Sequence, residues 1–121
     1  MTARTLHWAL DELSKNRKVA IASVVSTSGS VPGKEGARLA LTESSVHGTV
    51  GGAGLEMKVI SKLKEMLVAS IKPSGDVITY GLNKGAKGYE VTPLDSLCGG
   101  RVTVALEVLI PMPHILLMGG G

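Results

Sequence analysis

The 121-residue chain has no phenylalanine, one tryptophan and two tyrosines. Single-stranded nucleic acid is usually gripped by stacking bases on aromatic side chains, and this chain lacks those platforms. Its formal net charge of +3 is mild, with lysines scattered over positions 15–18, 34, 58–64 and 84–87 rather than gathered in a stripe. Nucleic acid is therefore not an expected partner. The single cysteine, Cys98, leaves no internal disulfide and no C-x-x-C pair for zinc, which fits a reducing compartment. No apolar run reaches the roughly 18 residues that span a bilayer. Arg4, His7, Asp11 and Glu12 also interrupt any signal-like start, so a cytoplasmic location away from membranes is expected.

What the chain does contain is a globular composition, 44% apolar and 19% charged, at a length that suits one domain with a modest core. The stretch 46–67 (VHGTVGGAGLEMKVISKLKEML) reads as strand, glycine turn and helix. Gly51, Gly52 and Gly54 break the strand, and a helical periodicity starts near Gly54, with Leu55, Val59, Ile60, Leu63, Met66 and Leu67 on one arc. Such a junction leaves helix N–H groups unpaired and favours an anion. Glu56 falls near the middle of the apolar arc. Because an unpaired buried carboxylate is costly, it should be held by the helix N-terminus, by loop N–H groups or by a cation. It either ties down the turn or serves a site.

The other elements follow in order. Leu6, Leu10 and Leu13 predict a first helix with an apolar stripe, ended by a left-handed Asn16. Residues 18–26 (KVAIASVVS) predict a central strand covered on both faces. The loop 27–36 lacks the spacing of a phosphate-binding P-loop: only three residues separate Gly29 from Gly33, and Glu35 follows Lys34. It remains a long Gly/Ser/Pro segment of the kind that tends to carry function, with Arg38 at its far end, either a functional cation or a solvated edge residue. Further strands are expected at 37–42 and 77–80, with a polar turn at 83–88. Residues 101–110 alternate cleanly, with Val102, Val104, Leu106 and Val108 on one face. The last residues, HILLMGGG, read either as the opening strand and glycine turn of a Rossmann-like unit without its helix or acidic residue, or as a flexible terminus. The expected fold is α/β: a single domain with a mixed β-sheet and two main helices over residues 1–112. Residues 113–121 then form the first strand of a missing Rossmann-like domain.

Three ordered segments resemble the N-terminal domain of the XdhC/CoxI family, accessory proteins for xanthine dehydrogenase and related molybdenum hydroxylases. They are Gly29-Ser30-Val31-Pro32 with Gly36-Ala37-Arg38, Gly48-Thr49-Val50-Gly51-Gly52 with Leu55-Glu56, and Cys98-Gly99-Gly100-Arg101-Val102. The resemblance implies a maturation factor that binds molybdenum cofactor (molybdopterin) and assists its sulfuration or insertion. Its implied partners are a molybdenum hydroxylase apoenzyme and a cysteine desulfurase, and the chain is read as a binding accessory protein more than an enzyme. The implied cofactor-binding set is Arg38, Gly51, Gly52, Gly54, Glu56, Cys98, Gly99 and Gly100. In it, glycine turns supply N–H donors, Arg38 pairs with phosphate, and Cys98 is the only candidate thiol for metal or sulfur. Family members often carry a cysteine where this chain has Gly54, which removes that thiol here.

Two other classes remain. Cys98 could act as a nucleophile with His47 or His7 as base, although no motif joins them. Alternatively, the domain is an oligomerisation and docking module built on the exposed face of residues 101–110, and self-association is expected from that face.

Overall fold

The computed structural model describes residues 2–86, 88–94 and 96–112, with the backbone alone at positions 2 and 53. The expected strand at 114–118, the glycines 119–121 and the whole unit 113–121 lie outside the described residues. Two helices and six strands follow in the order α1 (Thr2–Ser14), β1 (Val19–Gly29), β2 (Arg38–Leu41), β3 (Val46–Gly48), α2 (Ala53–Ala69), β4 (Ser74–Gly85), β5 (Gly88–Thr92) and β6 (Gly100–Leu109). They form one sheet ordered β3-β2-β1-β6-β4-β5. The α/β class with two helices on one sheet is as expected. Where a mixed sheet was expected, every described pairing is antiparallel. The reason is topological. A parallel neighbour needs a crossover between adjacent strands, and the one crossover helix among the described residues, α2, links β3 to β4, which lie on opposite sides of the sheet centre.

β1 is the central strand. Val19, Ala20, Ile21 and Ala22 are all buried, Val19 and Ile21 under α1 and Ala20 and Ala22 under α2. On β6 the alternation is as the sequence predicts, with Val102, Val104, Leu106 and Val108 in the α2-side core. Leu55, Val59, Leu63 and Leu67 of α2 close that core. Each fully buried side chain of this kind contributes about 1.5–3 kcal/mol. The turn expected at 83–88 is shorter than that reading, because β4 continues through Asn83 and Lys84 and pairs with an unforeseen β5 as far as Gly85↔Gly88.

Helix α1 corrects the leucine stripe. Thr5, Ala9 and Glu12 face the sheet at 3%, 2% and 6% exposure, whereas Leu6 and Leu10 are 38% and 65% exposed. Polar and aromatic contacts set the rotation. Trp8 stacks on His47 with ring centroids 5.5 Å apart, Thr5 Oγ1 lies 3.2 Å from His47 Nδ1, and Arg17 Nη1 donates to both Glu12 oxygens at 3.0 and 3.1 Å. With its charge paired, Glu12 can be buried. Asn16 does take the left-handed conformation, at φ 66°.

Ala9→Asp should therefore lower the unfolding free energy by roughly 2 kcal/mol or more, while Leu10→Gln should stay within about 0.5 kcal/mol of wild type. Urea unfolding of both variants checks this, and the reverse order would restore the leucine stripe as the buried face. Tyr80 gives a pH test. Burial, and then the nearby Asp76 carboxylate, raise its phenol above the ordinary 10.0. The folded state therefore keeps this proton to higher pH than the unfolded chain. Its contribution is intact below about pH 10 and is lost as pH rises through the folded pKa. Tyr80→Phe should lose stability less steeply than wild type across that alkaline range in parallel urea titrations.

Candidate functional site

Three glycine-bearing segments meet at one end of the sheet, joined by the loop at residues 29–36. Gly51 has φ +90°, and a Cβ there would stand 3.0 Å from Gly33 Cα. Pro32 packs on Gly52, where a Cβ would lie 3.0 Å from its Cγ. On the loop's other side, the Ser30 N–H donates to Gly99 O at 2.9 Å, and the Gly99 N–H donates to Leu82 O at 2.7 Å. Gly29 and Gly100 are cross-strand partners. A Cβ on Gly100 would sit 2.7 Å from Ser28 O and 2.9 Å from Ser30 O. The close backbone contacts at Gly51 and Gly100 admit only glycine, so much of this glycine content serves the packing of loop on loop. Cys98, half-buried, lies at the edge of the cluster.

Glu56 explains how the turn before α2 holds its shape. Its Oε1 accepts the Val50 N–H at 3.1 Å and the Thr49 hydroxyl, and Thr49 Oγ1 accepts the Gly51 N–H at 3.1 Å. No side chain caps α2 at Gly52, and the first helical bond runs from the Glu56 N–H to Gly52 O at 2.9 Å. One carboxylate from the first turn thus reaches back and fixes the preceding loop. Of the two roles open to Glu56, tying down the turn is the one its contacts describe. At the other end of α2, Lys18 Nζ donates to Leu67 O at 2.7 Å and Ser70 O at 2.9 Å, completing carbonyls that the helix leaves open.

Arg38 is not brought to the cluster. Its neighbours Leu39 and Leu41 enter the α2-side core while Ala40 enters the α1-side core. By alternation Arg38 lies on the α1 side, where its Nε donates to Ser23 Oγ at 3.1 Å. Gly51, Gly52, Gly54, Glu56, Cys98, Gly99 and Gly100 do share one end of the fold. Gly54 is a close contact between α2 and β5, since a Cβ there would stand 2.9 Å from Tyr89 O. His7 lies on α1, and His47 is engaged with Trp8 and Thr5, so neither imidazole has a described contact with Cys98.

Sequence reasoning missed Ser30 and Tyr89, whose Oγ and Oη lie 3.1 Å apart across 59 positions. It also missed the Thr49 hydroxyl. Only Thr49 left a local signal, a hydroxyl two residues before Gly51 and within reach of a first-turn carboxylate.

Two clefts flank α2. A groove of about 430 Å³ runs along its first two turns between Gly54, Met57, Lys58 and Ser61 on the helix and Tyr89, Glu90 and Val91 on β5. A larger cleft of about 760 Å³ lies at the far end, between the α1–β1 turn, the β2–β3 turn and Leu67 and Val68. Its cations are already committed, Arg17 to Glu12 and Lys18 to the helix carbonyls. Among the described residues, no three His, Cys, Asp or Glu side chains gather as a metal site. No described helix is long and apolar enough to cross a membrane.

The architecture defines a class of small α/β domain, with one antiparallel sheet between two helices and its glycine loops gathered at a single sheet end. Within that class the chain belongs to the XdhC and CoxI family, whose model matches residues 13–81, more than half of its length. A comparison with curated proteins gives no match. Family membership implies an accessory role toward molybdenum hydroxylases of the xanthine dehydrogenase type.

Glu56→Ala should release the turn and cost about 1.5–3 kcal/mol, the range for hydrogen bonds to a charged group. Thermal unfolding, together with amide exchange at Val50 and Gly51, measures it. An unchanged midpoint with unchanged exchange would remove the clamp.

Proposed function

We propose that this domain binds molybdenum cofactor at the glycine-loop end of its sheet and assists its sulfuration or insertion into a molybdenum hydroxylase apoenzyme. The observation that carries the reading is the convergence of the loop at 29–36, the turn at 49–52 and Cys98-Gly99-Gly100 in a chain of this family. The cofactor is a phosphorylated pterin dithiolene that carries the molybdenum and sulfur. Its binding needs an anion partner, space for a planar ring and a thiol within reach. The residues fit in kind. Open space adjoins the loops between α2 and β5, and Cys98 supplies the one thiol. Gly51, Gly52, Gly99 and Gly100 bring the loops together, Glu56 holds the turn, and Arg38 is left out because its side chain lies on the opposite face of the sheet.

Titration of the purified chain with molybdenum cofactor released from a carrier protein tests this. Wild type and Arg38→Ala should bind with equal affinity, and Cys98→Ser should fold normally while binding more weakly. If wild type does not bind, or if Cys98→Ser binds as wild type does, this site assignment is wrong.

A docking role is favoured by a separate observation. α1 covers only the β1–β3 half of its sheet face, leaving Val77 of β4 64% exposed beside half-buried Thr103 and Ala105 of β6. That surface suits an apoenzyme or a second copy of the chain.

A further inference from the structure

Resting on the proposed cofactor role, we infer that the groove between α2 and β5 is the subsite for a phosphorylated pterin, with Lys58 as its anion partner and Tyr89 as its stacking wall. Arg38 is tied to Ser23 on the far face, Lys62 pairs with Glu65 at 3.5 Å, and Lys18 caps α2. Lys58 lines the groove, is exposed, and makes no ion pair or hydrogen bond among the described residues, while Glu90, which also lines the groove, carries its carboxylate beside Gly85 of β4. A free ammonium at the wall of a groove is a ready partner for a phosphate.

The groove holds about 430 Å³, within the size range of small-ligand pockets. Gly54, Met57, Lys58 and Ser61 recur at helical spacing, so they form one continuous stripe along α2 opposite β5. Of the described aromatic side chains, Trp8 is stacked against His47 on the other side of the sheet. Tyr89 is the aromatic ring that lines this groove. A planar heterocycle held between a helix stripe and a tyrosine face satisfies both its ring and its charge.

Ser30 joins the groove to the thiol-bearing segment, because its Oγ meets Tyr89 Oη at 3.1 Å while its N–H donates to Gly99 O at 2.9 Å. A ligand seated against Tyr89 is therefore one residue's width from the segment that carries Cys98.

The experiment uses a pterin monophosphate, its dephosphorylated form and inorganic phosphate as three separate probes, followed by fluorescence or calorimetric titration and amide chemical-shift mapping. Wild type should bind the pterin monophosphate most tightly, with shifts at Gly54, Lys58, Ser61 and Val91. Lys58→Gln should weaken the monophosphate at least about tenfold while leaving the dephosphorylated pterin unchanged. Tyr89→Leu should weaken both pterins about fivefold or more, and Tyr89→Phe should rescue them. Thermal midpoints verify that each variant is folded. If wild type binds the pterin monophosphate but Lys58→Gln and Tyr89→Leu bind it equally well, the groove assignment is overturned and the cofactor role stands. If wild type binds neither pterin, both are overturned.

Discussion

A strand covered by helices on both faces imposes the main constraint on this fold. β1 buries Val19, Ala20, Ile21 and Ala22 in succession, so neither face of this first part can remain in water, and both its edges must be paired. β2 and β6 supply those pairs, and α1 and α2 supply the covers. The small residues at alternate positions let α2 approach closely, which lets Leu55, Val59 and Leu63 reach full burial. Backbone polar groups in such a strand have no access to solvent, so its ladder bonds are obligatory. The loops at its end inherit their position from that ladder.

The terminal bonds of α2 translate this rigidity to the sheet ends. Lys18 sits one residue before β1 and holds the helix C-terminus, while Glu56 reaches from the first helical turn to the backbone beyond β3. The helix is thus fastened at both ends by side-chain charges acting on backbone groups. Charge-assisted bonds of this kind are shorter and stronger than neutral ones. Between the fastenings, α2 meets the β5 backbone closely at Gly54, and the groove runs on from there beside Met57, Lys58 and Ser61.

The glycine-rich end illustrates how one residue type serves two needs. Gly100 and Gly51 are required by backbone approaching backbone, so they make the loop cluster compact rather than hollow. The space for a ligand lies instead at the margin, in the groove between the helix stripe and the edge strand. In a family that serves molybdenum hydroxylases, this arrangement leaves a rigid base of loops next to an open groove and a single thiol.

Local sequence by itself determined α2 and its buried arc, the central position of β1, the alternation of β6 and the left-handed Asn16. Each of these is written in residues at most a few positions apart, where spacing alone fixes which side chains share a face. Tertiary structure decided the rest. The rotation of α1 was set by His47, a residue 42 positions from Thr5, which outweighs the leucine spacing. The antiparallel order of the sheet depends on where α2 lands, and strand partners cannot be read from one strand. The side of the sheet that receives Arg38 follows from its register with Ser23, and a shift of one residue would reverse it. Tyr89 and Ser30 became neighbours only through the β4–β5 hairpin folding back on the loop, because a contact across 59 positions leaves no periodic trace in the chain.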